Sequence, residues 1–436
     1  MTPLARIARL SAAFLGSNLA RAAIGFGLSF ALARGLGAER FGRWILCTAS
    51  ASTLTVVVDL GFGVLLTRDG ARADAEPGRL LAGALALRLA LAIPFAAILF
   101  AGAPYLSADV ETIAGLRVAV LLGTAGAAYG CFGALFRSQP RWLPTVLALE
   151  TGWLAIQLGA ATLIVRTAAA RPDRWIVSLM TLAAAIQLAQ TAMAAVCWRR
   201  VFGDRGRVRL PSADALVALL RRALPFAASG LVANVQTRVG PLMIGWLSTS
   251  SELGLFAAAS RFGSVARLAP QAVFAGALPV LSHEHARDRA AAGQVFKTFD
   301  RVLLAGSAAA AIACALFAAP VLRLVYGPSF AAAAPSLRWI GVGLIPLLGN
   351  SGRKVYLYAS GGEALVVRWS AVALIVQASA GAVLISALGG AGAAVSIAIG
   401  EAVIWWPLRR AGVAQAFRPA DAPRPEGLRY ERPAAT

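Results

Sequence analysis

Charge is scarce in this chain: of 436 residues only 14% are Asp, Glu, Lys or Arg, against about 25% in an ordinary soluble domain. That deficit excludes a water-exposed globule of this length. Histidine is nearly missing. His283 and His285 stand in "SHEHARDR", where positions i and i+2 do not share a helix face and no third ligand is near, so no zinc site is expected. Cysteine is sparse too. Cys47, Cys131, Cys197 and Cys314 stand singly in or beside apolar stretches, which excludes a CxxC motif and a disulfide framework. GxSxG, Walker and dinucleotide-binding elements in their strand–helix setting are missing as well. No cofactor, metal or covalent catalysis is therefore expected. Acidic residues are the last shortage, 20 against 41 basic.

What is abundant is apolar sequence. The chain is 58% hydrophobic, with a mean hydropathy of +0.71. Runs of 18 or more apolar residues each read as a transmembrane helix of roughly 30 Å. Spans are expected near 10–33, 44–67, 80–102, 112–135, 143–165, 175–197, 223–247, 253–281, 302–324, 335–358, 365–388 and 391–408. The fold class is thus an all-α polytopic membrane protein of about twelve helices, counted by the length a crossing needs. The start, "MTPLARIARL", leads into a full-length span without a small-residue cleavage site and reads as a retained first helix.

The net charge of +21 is concentrated rather than spread. With the N-terminus inside, about 25 Lys and Arg fall in expected cytoplasmic segments and about 8 in outer loops, the asymmetry of positive-inside topology. The segment "WRRVFGDRGRVRLPSADALVALLRR" (198–222) and the tail after Trp406 hold half of the cytoplasmic set. Anionic lipid headgroups suit such clusters. Nucleic acid does not, because no aromatic-interleaved platform accompanies the charge.

The basic segment divides the spans six and six, and the halves echo one another. "LGAERFGRW" (36–44) follows the first span and "STSSELGLF" (248–256) the seventh; "ILFAGAP" (98–104) ends the third and "CALFAAP" (314–320) the ninth. The offsets are about 213 and 216 residues, consistent with an internal repeat. Six spans per half make the repeat parallel, about an axis along the membrane normal. The expected organisation is an N-terminal lobe (1–200), a basic inter-lobe loop (201–222), a C-terminal lobe (223–412) and a disordered tail (413–436).

Arg21, Arg88, Arg117, Arg238, Arg261, Arg267, Arg353 and Lys354 fall inside these spans. A charge at the bilayer centre costs roughly 2.5–3.5 kcal/mol on insertion scales, so such a group faces a cavity or a partner. Arg117, Arg353 and Lys354 lie near helix ends and are expected to snorkel. Arg21, Arg238 and Arg267 lie roughly 15–22 Å along their helices, and Arg88 and Arg261 roughly 12 Å. These five either line a wet cavity or pair with Asp59, Glu150 or Glu401. Cationic cavities suit anions, since guanidinium forks match phosphate oxygens bidentately. Asp59, Glu150 and Glu401 in turn either carry a coupling proton or sodium ion or serve as salt-bridge partners. "GFGLSFALARGLG", "GLIPLLGNSG", Pro270 and Pro279 interrupt regular helix, as gating bends or as static kinks.

Three stretches, "DLGFGVLLTRDGA" (59–71), "ELGLFAAASRFGSVARLAPQAVFAGALPVLS" (252–282) and "LVYGPSFAAAAPSLRW" (324–339), resemble the bacterial polysaccharide-biosynthesis flippases. These belong to the superfamily of multidrug, oligosaccharidyl-lipid and polysaccharide exporters. The resemblance implies a cationic central cavity and alternating access. It also implies an undecaprenyl-pyrophosphate-linked oligosaccharide as cargo, a bacterial inner-membrane location with both termini cytoplasmic, and polysaccharide polymerase and chain-length regulator as partners. Matching positions are Asp59, Arg68 and Arg261. Arg68, at a cytoplasmic end, is a gate contact or a positive-inside anchor. Phe256 departs from the family's frequent Tyr, and there is no room for the two extra helices of lipid II flippases. The rival expectations are a multidrug exporter of the same fold and a membrane polysaccharide polymerase or ligase.

Overall fold

The computed structural model describes residues 3–72, 74–167, 174–209, 211–266, 289–359 and 363–416. Among them the chain is all helix and turn. Helices α1 (Pro3–Val57), α2 (Phe62–Gly70), α3 (Pro77–Leu106), α4 (Val110–Arg137), α5 (Leu143–Thr167) and α6 (Trp175–Phe202) form the first half. Helices α7 (Ala213–Leu247), α8 (Ser250–Ala266), α9 (Arg289–Tyr326), α10 (Ala334–Ala359) and α11 (Glu363–Ala416) form the second. Among the described residues, eight helices are long and apolar enough to cross a membrane. Two of the eight, Gly16–Val57 and Ala364–Arg410, run to 42 and 47 residues, about twice the ~20 that one crossing needs.

Glycine explains those double lengths. Gly37 (φ 73°) and Gly389 (φ 55°) interrupt α1 and α11 with non-helical backbone, a left-handed conformation that costs glycine little. The first two expected spans therefore meet at Gly37, and the last two at Gly389.

Three expected boundaries change. The second span, read as 44–67, is broken: α1 stops at Val57, Leu60 and Gly61 take positive φ, and the chain restarts as α2. Asp59 stands in that break and accepts a hydrogen bond from the Gly63 amide at 3.2 Å, satisfying an otherwise free donor of the new helix. The basic loop is shorter than 201–222, because Ser212 accepts from the Ala215 amide at 3.4 Å and starts α7 at Ala213. Residues 413–416, assigned to the tail, are the last turn of α11. "GFGLSFALARGLG" stays helical up to Gly37, and Pro346 lies within α10 without ending it. The eighth span beyond Ala266, His283, His285, Pro270, Pro279 and the tail from 417 lie outside the described residues.

Apolar packing is unequal at the two ends of the bundle. At the end bearing Gly37 and Gly389, one core joins both halves: Leu32, Phe41 and Trp44 of α1 with Leu253 and Phe256 of α8, Tyr326 of α9 and Leu337 of α10. The opposite, arginine-rich end has separate cores. One gathers Phe62, Leu66, Leu135, Phe136, Trp198 and Phe202 with Leu219 and Ala223 of α7. The other gathers Leu357, Val366, Ile404 and Leu408. Helix α7 thus begins against the first half and ends against α11 of the second.

Candidate functional site

The deep charges resolve into clusters. Glu150 of α5, buried, accepts from Arg21 of α1 at 2.9 Å, from Arg137 of α4 at 2.8 Å and from the Tyr129 hydroxyl at 3.0 Å. One carboxylate thus holds two guanidiniums, leaving a net positive charge. Arg21 and Arg137 keep 44% and 34% of their side-chain surface exposed, against 5% for Glu150, so the positive groups face outward from the buried anion. Ser17 and Thr151, one turn away, hydrogen-bond each other at 3.2 Å and extend the polar track between α1 and α5.

Arg88 of α3 is different. It pairs with Asp59 at the α1–α2 break and donates to the Ala127 carbonyl of α4 at 3.0 Å. Its side chain is 2% exposed while that of Asp59 is 38% exposed. In this conformation Arg88 braces the helix break and reaches no open surface.

The second half contributes Arg238 of α7. Its guanidinium donates to the Ser52 hydroxyl of α1 at 3.2 Å and to the Asn234 carbonyl at 3.2 Å. No carboxylate partner is found for it among the described residues. Arg261 is half-buried on α8, within electrostatic reach of Tyr326. Arg267 lies outside the described residues.

Arg353 does not behave as a snorkelling residue. It is buried, donates to Asp300 at 3.2 Å and lies 4.0 Å over the Trp405 ring. The reason is that its helix end packs against α9 and α11 rather than facing water. Arg117 lies over Phe100 at 5.0 Å, and Lys354 is half-buried.

Glu401 of α11 is buried among amides. Asn350 donates to its carboxylate at 3.0 Å and to its backbone carbonyl at 2.7 Å, and Gln236 approaches it at 3.5 Å. The Asn350 Oδ1 and Gln377 Oε1 atoms are buried with no hydrogen-bond partner. No cation pairs with Glu401 among the described residues.

At the arginine-rich end, Arg68 Nε donates to Asp69 at 2.9 Å. Asp69, 4% exposed, also holds Arg72 at 3.8 Å and pairs with Arg222 of α7, which ties α2 to α7. A cleft of about 310 Å³ adjoins this cluster, lined by Arg72, Arg79, Arg222 and Glu76 among others. No group of His, Cys, Asp or Glu among the described residues has metal-site geometry.

Sequence reasoning missed Arg137, Tyr129, Asp69, Arg222 and Asp300. Arg137 and Arg222 were counted as positive-inside charge at span ends. Asp69 stood beside Arg68 in the quoted "TRDG", the one local signal that an acid sits among the arginines. Nothing local links residue 69 to residue 222.

A family model described as polysaccharide biosynthesis protein matches residues 8–284. No curated protein matches the chain. Among solved structures, an inward-facing conformation of a multidrug resistance MATE family transporter of the MOP superfamily is similar, with TM-score 0.64 and 16% identity over 92% of this chain and 94% of that one. The lipid II flippase MurJ in an inward closed conformation has TM-score 0.68 and 12% identity over 92% and 87%. An outward-facing MATE transporter has TM-score 0.59 and 16% identity over 94% and 96%. At these identities the likeness shows a shared fold.

Proposed function

The chain belongs to the polysaccharide biosynthesis protein family, and on that premise we propose that it flips a polyprenyl-pyrophosphate-linked oligosaccharide from the cytoplasmic to the outer leaflet. The observation that carries this reading is Arg238. It sits in α7, spans to Ser52 of α1, and has no carboxylate partner among the described residues. A permanent cation within a membrane helix, uncompensated by protein, calls for water or an anionic ligand. Arg21 and Arg137, which outnumber their shared Glu150, add positive charge from the first half. A diphosphate gripped from both halves is what alternating access requires. Arg261 and Arg267 are the further contacts proposed, and Arg88 holds the α1–α2 break that shapes the cavity wall.

The test is leaflet accessibility of a fluorescent polyprenyl-pyrophosphate sugar in liposomes. Transfer is expected with the parent chain and is expected to be lost with Arg238→Ala and reduced with Arg21→Ala at equal protein incorporation. Equal transfer by all three would overturn the reading.

A second reading, a multidrug exporter of the same fold, is favoured by Glu401. A buried carboxylate without a cationic partner suits a proton, a sodium ion or a cationic cargo. In the flippase reading Glu401 carries the coupling ion. Membrane potential is an alternative drive, since moving one negative charge outward, down an inside-negative potential of 100 mV, releases about 2.3 kcal/mol. Transport of an organic cation that Glu401→Gln abolishes, with no transfer of the lipid-linked sugar, would select the exporter.

A further inference from the structure

The two halves touch backbone to backbone at Gly42 and Gly254, and the contact is reciprocal. A methyl built on Gly42 of α1 would lie 1.7 Å from the Ser250 carbonyl oxygen of α8, and one on Gly254 would lie 1.9 Å from the Ala38 carbonyl oxygen. Gly42 and Gly254 stand 212 positions apart, and so do Ala38 and Ser250. The two contacts are therefore one contact written twice, as a two-fold axis between the first turn of α8 and the first turn of α1 after Gly37 would generate. Each turn carries small residues four apart, the spacing that lets membrane helices approach closely. Each also carries a glutamate, Glu39 or Glu252, which offsets the like helix N-termini brought together there.

Around this point the halves interlock, and among the described residues no ion pair joins them there. Phe26 of α1 packs on Phe262 of α8 at 5.6 Å and Tyr326 of α9 at 6.2 Å between ring centres, and Phe41 packs on Phe330 at 6.5 Å. Arg34 of α1 donates to the Leu324 and Val325 carbonyls at 2.7 and 2.8 Å, capping the end of α9. The arginine-rich end, by contrast, is tied across α2 and α7 by the Asp69–Arg222 pair.

The geometry points to a glycine clasp at Gly42 and Gly254 as the outer gate, a dry joint on the pseudo-two-fold axis that separates when the protein opens outward. Van der Waals contacts between backbones break and re-form without desolvating charge, which suits a joint that must do so in every cycle. The inference goes beyond the cargo assignment and concerns the gate whatever is carried.

The test labels two exposed outer positions, Val110→Cys in the first half and Leu388→Cys in the second, with spin probes in a background lacking the four native cysteines. Distances are then read by pulsed electron resonance in nanodiscs. A methyl at either glycine needs about 3.5 Å from its neighbour, so Gly42→Ala and Gly254→Ala are each expected to shift the distribution to a longer distance. The double variant is expected to add little, because one methyl already parts the clasp. Folded variants with the parent's distribution would overturn the proposal. If either alanine variant fails to fold, the parent supplies the second readout. It is expected to populate both a short and a long distance, and a single short distance with and without added polyprenyl diphosphate would make the clasp a permanent joint and overturn the proposal.

Discussion

Arg88 and Asp59 form one ion pair, yet removing either partner is expected to have very different consequences. The Arg88 side chain is 2% exposed and its Nε has no partner, whereas Asp59 is 38% exposed. Asp59→Asn strands a buried guanidinium, and leaving one charge of a buried pair uncompensated costs about 3–5 kcal/mol. Arg88→Met replaces the buried cation with an apolar chain of similar length, and the aspartate left behind can be hydrated. Replacing buried charge with well-packed apolar groups is often close to neutral, and the screened, half-exposed carboxylate adds at most about 1 kcal/mol. The gap between the variants is thus about 2–5 kcal/mol, or roughly thirty- to five-thousandfold in the folded-to-unfolded ratio at 1.36 kcal/mol per decade. The double variant is expected to resemble Arg88→Met alone. Tryptophan fluorescence during denaturant unfolding in nanodiscs measures the ranking. If Arg88→Met is as damaging as Asp59→Asn, the helix break does not depend on the burial difference and the reasoning fails. Liposome transfer by a stable Arg88→Met variant would further assign Arg88 to the wall rather than to cargo contact.

Glu150→Gln removes the anion shared by Arg21 and Arg137; we expect modest destabilisation together with tighter binding of an inorganic pyrophosphate probe, and weaker binding would show that Glu150 orients the arginines rather than neutralising them. Asp69→Arg and Arg222→Asp singly should each lower thermal stability, and the exchanged pair should recover part of it, because the contact joins α2 to α7; no recovery would locate the damage elsewhere. Burial would raise the Asp109 carboxyl, but hydrogen bonds from the Thr112 hydroxyl and amide and the charge of Arg43 outweigh it and hold the group below the usual carboxylate range. A depressed carboxyl stabilises the fold above its unfolded pKa of about 3.9 and loses that contribution as pH falls through the lower folded value. Asp109→Asn should therefore be less stable than the parent at pH 6, with the difference vanishing in strong acid; a constant difference across pH would refute the linkage.

Several features were legible along the chain because they are local. Hydropathy runs need only neighbouring residues, and among the described residues eight helices long and apolar enough to cross a membrane stand where such runs were read. The break at 58–61 escaped, since Leu60 and Gly61 sit inside an apolar run and only their positive φ reveals the turn. The likeness between "LGAERFGRW" and "STSSELGLF" was visible along the chain, but not that the two stretches touch at Gly42 and Gly254. Arg21 and Arg88 stood out because a charge within an apolar run is conspicuous; Arg137 did not, because arginine at a span end has a ready explanation.

The order of apolar and charged residues therefore determined a helical membrane protein with basic residues gathered at segment ends, because burial in lipid depends on stretches of about twenty consecutive residues. Tertiary structure alone decided which charges remain free. Glu150 collects guanidiniums from residues 21 and 137, Asp59 collects one from residue 88, and Asp69 collects one from residue 222. Electrostatic compensation acts over a few ångströms in space, and only the packing of α1, α3, α4, α5 and α7 brings those distant positions together.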